Sequence, residues 1–394
     1  MSKKLTAFLA ALLCVALLFP LCACAGDNAG MPDSSGEEQV SQRQPETESS
    51  APDESDKSAE AENGSEPEEL DPEGLFLAYD DDRLKYTGRW QETENGGYRS
   101  YWNNPTLSFK FTGDKLALKL TGGGVFNVLI DKSSKSITTQ AGWLELDVPE
   151  GGEHTLTASG RGIELAGVLL DSAAEVTRIP DSEYYIEFIG DSISESLYSF
   201  SYNTPVLLGQ DSAVYALGGI ALHDKWGYYE AKNLSGWDST MRVGMETAFF
   251  NCEMPNERYE DFTEFRFGGR TPDALVIFIG TNDYLDDPWN CEDFVGYYKA
   301  FVGRIRDIYP DTAIYLCTAL SDNISKLRVS GIANAVESTA AEYDGVKVVD
   351  IGGWGAEISS DGVHPSEKGY ATLSERFAEY LAAELGISYP ADSE

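Results

Sequence analysis

The chain has 394 residues, 42% of them hydrophobic, enough to bury a sizeable core spread over about two domains. Its 66 Asp and Glu against 29 Lys and Arg give a formal net charge of -37 at pH 7. That balance argues against nucleic acid as a partner, because phosphate contacts need clustered Lys and Arg and no such cluster occurs, and it suits a neutral or cationic partner or simply solubility.

Residues 1–24 read as an export signal: Lys3 and Lys4, then the apolar run from Leu5 to Leu21, ending in Leu21-Cys22-Ala23-Cys24. The run is too short and too early for a membrane span. Its last four residues resemble a bacterial lipobox, which implies a lipid on Cys24 as first mature residue; cleavage near Ala23 or Ala25 without lipid is the alternative. The expectation is an exported bacterial lipoprotein on the cell surface, touching the membrane only through Cys24. Cys14 and Cys22 leave with the signal, so Cys252, Cys291 and Cys317 remain, an odd number that allows at most one disulfide. Residues 25–72 hold 15 acidic against 2 basic residues and almost no aromatic or β-branched ones. Such a segment cannot bury enough apolar surface to offset its ordering entropy and reads as a disordered linker, with a contour limit of roughly 160 Å.

Between 75 and 178 the apolar residues alternate. Leu107, Phe109 and Phe111, then Leu116, Leu118 and Leu120, then Leu144, Leu146 and Val148 recur with period two, punctuated by Gly113-Asp114, Gly122-Gly123-Gly124 and Gly151-Gly152. Short alternating strands with glycine turns predict a β-sandwich or jelly roll. His154 falls at a hairpin end rather than in a site. Trp90, Tyr98, Tyr101 and Trp102 have the chemistry to stack on sugar rings, although burial in a core is the commoner use of such residues.

From 180 to 388 the pattern becomes apolar strands between amphipathic helices. Leu275–Ile279, Ala313–Cys317 and Val346–Val349 read as buried strands; Phe294, Tyr297, Tyr298, Phe301, Ile305 and Ile308 recur at helical spacing, as do residues from Ile332 to Tyr343 and from Ser366 to Leu385. Alternating units of this kind predict a parallel sheet covered on both faces, a three-layer α/β/α domain. Residues 221–270 break the pattern and carry Trp226, Tyr228, Tyr229, Trp237, Phe249, Phe250 and Tyr259. The expectation places this insertion over the carboxyl edge of the sheet, as a pocket wall or a lid.

Tyr184 to Ser194 holds the stretch of greatest chemical interest, a strand-like run that stops at Gly190-Asp191-Ser192. A serine at the carboxyl end of a parallel strand is where ligands meet such sheets. Alone the triplet is weak, since it arises by chance in about one chain in ten of this length. Three further blocks follow in order: Gly218-Gly219 after Ala213–Leu217, Gly280-Thr281-Asn282-Asp283 after Leu275–Ile279, and Asp361-Gly362-Val363-His364 near the end. Serine hydrolysis needs a base within hydrogen-bond reach and a carboxylate that fixes its tautomer. Of the three histidines, His364 has an aspartate three residues earlier; His223, beside Asp224 and Lys225, is the fallback. The N–H groups of Ser192 and Gly219 and the amide of Asn282 are suitable donors to an oxyanion. No metal or other cofactor is expected, because no histidine pair stands at ligand spacing.

These four blocks resemble those of the SGNH (GDSL-type) hydrolases, matching Ser192, Gly219, Asn282 and His364, with Asp361 in the family's Asp-x-x-His position. With a preceding sandwich, and segments such as Arg99-Ser100-Tyr101-Trp102 and Phe109-Lys110-Phe111-Thr112-Gly113, the chain is similar to carbohydrate esterase family 2 over roughly residues 75–385. The resemblance implies an acetyl esterase acting on acetylated polysaccharide such as xylan or mannan. Two departures stand out: Ile193 replaces the Leu of the GDSL name, and Asp361 offers a full triad where some of those esterases use a dyad. A surface-tethered glycan-binding protein with an idle hydrolase domain, and a lipase or thioesterase, are the other readings.

Overall fold

The computed structural model describes residues 73–389 except 103, 197, 225–242, 254–262, 285–290 and 321–325. The export signal, Cys24 and the acidic segment therefore lie outside the described residues, as do Trp226, Tyr228, Tyr229, Trp237 and Tyr259 of the insertion.

Alternation of apolar side chains folds the first part into two antiparallel sheets. Its strands are β1 (Leu75–Ala78), β2 (Lys85–Thr87), β3 (Gln91–Thr93), β4 (Gly97–Ser100), β5 (Thr106–Thr112), β6 (Lys115–Gly122), β7 (Val125–Ile130), β8 (Ser133–Thr138), β9 (Gly142–Asp147), β10 (Glu153–Arg161), β11 (Ile163–Leu170) and β12 (Val176–Thr177). One sheet runs β3-β4-β11-β6-β9 with β1 beside β11; the other runs β12-β5-β10-β7-β8 with β2 beside β5. In β10 the buried residues are His154, Leu156, Ala158 and Gly160, every second position. Leu107, Phe109 and Phe111 on β5 meet Leu116, Leu118 and Leu120 on β6 in the core between the sheets, each contributing about 1.5–3 kcal/mol by burial.

His154 is a structural residue of this sandwich. Its Nδ1 lies 2.8 Å from Asp131 Oδ2, while Asp131 Oδ1 accepts the N–H of Thr155 at 2.9 Å. Asp131 occupies the turn between β7 and β8 at φ 53, a left-handed conformation that Asp tolerates better than most residues. Of the four aromatic residues, Trp102 is fully buried, edge-on to Tyr215 at 5.5 Å; Tyr98 packs between Tyr79 and Tyr86; Trp90 and Tyr101 are half-buried.

The rest is an α/β layer structure. In chain order come β13 (Tyr185–Gly190), α1 (Ser192–Glu195), α2 (Phe200–Leu208), β14 (Asp211–Ala216), α3 (Met245–Ala248), β15 (Ala274–Phe278), α4 (Cys291–Ile308), β16 (Ala313–Cys317), α5 (Lys326–Ala340), β17 (Val346–Val349) and α6 (Glu367–Leu385). The strands pair in parallel in the order β14-β13-β15-β16-β17. All six residues of β13 are buried, as expected of a strand covered on both faces. Phe200 of α2 stacks on Phe377 of α6 at 4.5 Å over one face; Phe294, Phe301 and Ile305 of α4 and Ile332 of α5 cover the other. The three-layer architecture read from the sequence is thus the architecture found.

Three details differ from the pattern. α2 carries no clear helical period, because Ser201, Thr204 and Pro205 are buried beside Phe200 and Leu208. α5 starts at Lys326 and ends at Ala340, earlier than the Ile332–Tyr343 periodicity suggested. Phe265 and Phe267, near the end of the insertion, pack around Arg89 next to Tyr185 and Asp211, at the amino edge of the sheet rather than the carboxyl edge. A parallel strand must be entered from its amino end, so the chain has to return there before β15 begins. Cys252 and Cys317 are buried free thiols. Among the described residues no helix is long and apolar enough to cross a membrane.

Candidate active site

The position of Ser192 follows from how β13 ends. A Cβ at Gly190 would fall 2.3 Å from Ser194 Oγ and 2.8 Å from the Phe278 carbonyl oxygen, so the chain passes this point only as glycine. Asp191 then caps α1, its Oδ1 accepting the Ile193 N–H at 3.0 Å. Ser192 is left at the first residue of α1, on the carboxyl edge of the sheet, with a backbone N–H that has no partner inside the helix.

His364 comes from the loop between β17 and α6. Ser359 N–H donates to the His364 carbonyl at 2.8 Å, and Gly362 N–H donates to the Ser359 carbonyl at 3.1 Å, which folds the loop into a tight turn. Within it Asp361 Oδ1 accepts the N–H groups of Val363 and His364 at 2.8 and 2.9 Å. Asp361 Oδ2 lies 2.7 Å from His364 Nδ1, and His364 Nε2 lies 2.7 Å from Ser192 Oγ. An ionised carboxylate only accepts, so Nδ1 carries the proton and Nε2 is left to accept from the serine hydroxyl. Burial acts to raise the Asp361 carboxyl, but the two N–H groups, the imidazole and Ser359 outweigh it and hold the group well below the usual carboxylate range. The Asp361 and His364 side chains are 51% and 38% exposed, so solvent screens their attraction.

A second group of contacts shapes the loop after β14. Gly218 N–H donates to Glu195 Oε2 at 2.6 Å, and a Cβ at Gly218 would lie 3.7 Å from Ser192 Cβ. Gly219 follows at φ 78. Asn282 Nδ2 donates to the Ile220 carbonyl at 2.8 Å, which spends one of its two hydrogens. Asp283 accepts the N–H groups of Leu222 at 2.8 Å and His223 at 3.0 Å. The Gly-Thr-Asn-Asp block thereby pins the loop that carries Gly219 beside Ser192.

Two buried carboxyls lie under this surface. Burial pushes Asp191 up to about 6 against the Ile193 N–H, Thr281 and the field of His364. Burial likewise pushes Asp283 up to about 7, opposed by its two N–H donors and reinforced by Asp191. The alternative base, His223, pairs through Nδ1 with Glu246 and stacks on Tyr297 with ring centroids 3.5 Å apart. It is His364 that meets Ser192.

Of the residues named from the sequence, Ser192, His364 and Asp361 are brought into contact, while Asn282 is hydrogen-bonded to the Ile220 carbonyl; the residues that hold the surrounding loops were missed. Asp283 was in hand as the neighbour of Asn282, and Glu195 stands one helical turn after Ser192, but neither role shows without the loop they bind.

Residues 188–372 match the GDSL-like Lipase/Acylhydrolase family. This part of the chain is a GDSL-like hydrolase domain. It runs from within β13 to within α6 and contains Ser192, Gly219, Asn282, Asp361 and His364. With the sandwich included, the fold is similar to that of a family two carbohydrate esterase from Clostridium thermocellum solved in complex with cellohexaose, at 21% identity over 77% of this chain and 99% of that one, with a TM-score of 0.63. A family two carbohydrate esterase from Cellvibrio japonicus is similar at 16% identity over 79% and 98% of the two chains, with a TM-score of 0.65. In sequence the chain is 23% identical over 269 residues to the cellulase/esterase CelE of Acetivibrio thermocellus. That match takes in 60% of this chain and 31% of CelE, so this chain corresponds to about a third of that relative.

Proposed function

We propose that this chain is a serine esterase that removes O-acetyl groups from polysaccharide through an acyl-enzyme. The observation that carries the reading is the Ser192–His364–Asp361 array, with both links at 2.7 Å. Ser192 Oγ attacks the acetyl carbonyl carbon as His364 Nε2 takes its proton; Asp361 holds the imidazole and stabilises its cation. The oxyanion is received by the N–H groups of Ser192 and Gly219 and by the Asn282 hydrogen not spent on Ile220. Collapse breaks the ester bond, and the sugar hydroxyl leaves with the proton from His364. Water, deprotonated by His364, then attacks the acetyl-serine, and acetate departs as Ser192 regains its proton.

A neutral polymer such as acetylated xylan or mannan is supported by the strong negative charge of the chain, which disfavours polyanions, and by the fold shared with family two carbohydrate esterases. The Leu21-Cys22-Ala23-Cys24 ending supports a lipid on Cys24 at the cell surface, with the acidic segment holding the folded part away from the membrane.

Acetate release from acetylated xylan, acetylated mannan and acetylated peptidoglycan, and fatty-acid release from a long-chain acyl ester, measured for the full chain and for Ser192→Ala, test the proposal. Release from xylan or mannan that disappears in the variant is the expected result. Polysaccharide binding without acetate release would favour an idle hydrolase domain, and preference for the long-chain ester would favour a lipase.

A further inference from the structure

The turn that follows β17 reads Gly352-Gly353-Trp354-Gly355. It sets a half-buried tryptophan between residues that have no side chains to cover it, and a Cβ at Gly355 would meet nothing within 4 Å. Trp354 rests against α6, perpendicular to Phe377 with ring centroids 4.8 Å apart, and tilted by 47° to Tyr380 at 6.4 Å. Neither neighbour stacks flat on the indole. Gly353, Trp354, Arg376, Glu379 and Tyr380 line an open depression of about 340 Å³ between this turn and α6, beside the last strand of the parallel sheet. No residue of the Ser192–His364–Asp361 array takes part in it.

The polar groups of the depression are open to water and largely unspent. Arg376 Nη1 donates to Glu379 Oε2 at 3.1 Å, and the two side chains are 55% and 56% exposed. Among the described residues Arg376 Nη2 and Nε and Glu379 Oε1 make no other hydrogen bond. The same holds for the Trp354 N–H and the Tyr380 hydroxyl, and neither of those is shut off from solvent. Donors, an acceptor and an aromatic surface therefore converge on one concave patch that a molecule arriving from solution reaches directly.

The lining also says what kind of molecule. Arg376 and Glu379 offset each other and are the only charged residues of the lining, so the depression has no net charge with which to hold an ion. A guanidinium only donates and a carboxylate only accepts. A molecule that meets both at once must accept and donate at neighbouring positions, as adjacent hydroxyls on a sugar ring do. The apolar C–H face of such a ring matches the indole, whose body is apolar and whose N–H remains available to a further hydroxyl. The volume lies within the roughly 300–1,000 Å³ of small-molecule sites. We propose that this depression is a second sugar site, separate from the Ser192 centre, that takes one neutral ring of a polysaccharide chain.

The indole N–H signal of Trp354, one of seven tryptophans, reports on the site directly and is identified in ¹⁵N spectra of the full chain by its loss in Trp354→Phe. Titration with xylohexaose, mannohexaose and cellohexaose, and with hexagalacturonic acid as the charged comparator, tests the proposal. At least one neutral hexaose should shift this signal saturably. Arg376→Ala combined with Glu379→Ala removes both polar partners from an exposed helix face, and half-saturation should then require about tenfold more of the hexaose. Gly353→Phe fills the depression, where a Cβ meets only Asp350 Oδ2 at 3.8 Å, and should weaken the response as much while the circular dichroism spectrum stays that of the parent. The proposal is overturned if no neutral hexaose moves the Trp354 signal, if either variant responds at the same concentrations as the parent, or if hexagalacturonic acid moves it in place of the neutral chains. Its outcome is independent of whether the chain releases acetate.

Discussion

His364 Nε2 lies 2.7 Å from Ser192 Oγ although 172 residues separate them in the chain. The two arrive from different sides of the sheet edge, Ser192 from the end of β13 and His364 from the turn before α6, and no other described histidine touches the serine. Ser192→Ala and His364→Ala should each lower turnover of an aryl acetate by about four to six orders of magnitude, and the double variant should lose little more, because the pair acts as one unit. Asp361→Asn should cost about a hundredfold, less than the roughly 10,000-fold typical of a fully buried orienting carboxylate, since Asp361 is half exposed and its partner is already screened. Steady-state rates for the four proteins check this, and additive losses in the double variant would break the assignment.

Glu195 is the contact that a sequence motif could not announce. Its Oε2 takes the Gly218 N–H at 2.6 Å and so fixes the peptide that leads into Gly219. In Glu195→Ala the loop loses that acceptor, and kcat should fall about tenfold with KM little changed, the loss expected when a donor to the oxyanion is loosened rather than removed. Glu195→Gln keeps a carbonyl oxygen at the same reach and should restore most of the rate. Equal losses in the two variants would instead point to the charge of Glu195.

What was legible in the sequence follows a physical division. Ser192, Gly219, Asn282 and His364 were visible because each ends a strand or sits in a turn, where residue type reflects chemistry more than packing. The roles of Asp191, Asp283 and Glu195 were not, because each accepts from backbone N–H groups, whose positions depend on folded loops and leave no trace in side-chain pattern. Helix α2 was hidden for a related reason: a helix buried around Ser201, Thr204 and Pro205 has no polar face to set a period. Phe265 and Phe267 lie at the amino edge, against the expectation for the insertion as a whole, because its last residues must deliver the chain to the start of β15.

Asp283 gives the fold a pH signature. Its carboxyl ordinarily titrates at 3.8, and in the folded protein burial raises it to about 7. The folded state therefore keeps a proton that the unfolded chain has released between those values. The stability from this group is fully present below about pH 4 and declines as pH rises through about 7, by at most a few kcal/mol. Urea unfolding of the full chain and of Asp283→Asn from pH 4 to 7.5 should show the variant with a flatter dependence, even though its amide cannot accept from both Leu222 and His223. Asp191 shares the titration, so the midpoint belongs to the pair. Parallel curves for the two proteins would remove Asp283 as the source.

Lys85 and Asp211 join the sandwich to the parallel sheet, and their partners are unequal. The ammonium of Lys85, 5% exposed, is 2.8 Å from Asp211, with the Pro180 carbonyl at 2.9 Å and the half-exposed Asp181 at 3.6 Å. Asp211 has further support, from Arg270 at 2.9 Å and the Ser182 N–H at 2.9 Å. Removing Asp211 leaves a buried ammonium with one weak counter-charge, which costs about 3–5 kcal/mol, whereas removing Lys85 leaves a carboxylate still paired, at about 1–2 kcal/mol. Asp211→Ala should thus be the more destabilising change in urea unfolding, despite deleting the smaller side chain. Lys85→Met should recover part of the loss seen in Lys85→Ala, because its unbranched chain refills the buried path of the lysine stem without bringing a charge. A larger cost for Lys85→Ala than for Asp211→Ala would mean that packing of the stem, and not the ion pair, ties β2 to β14.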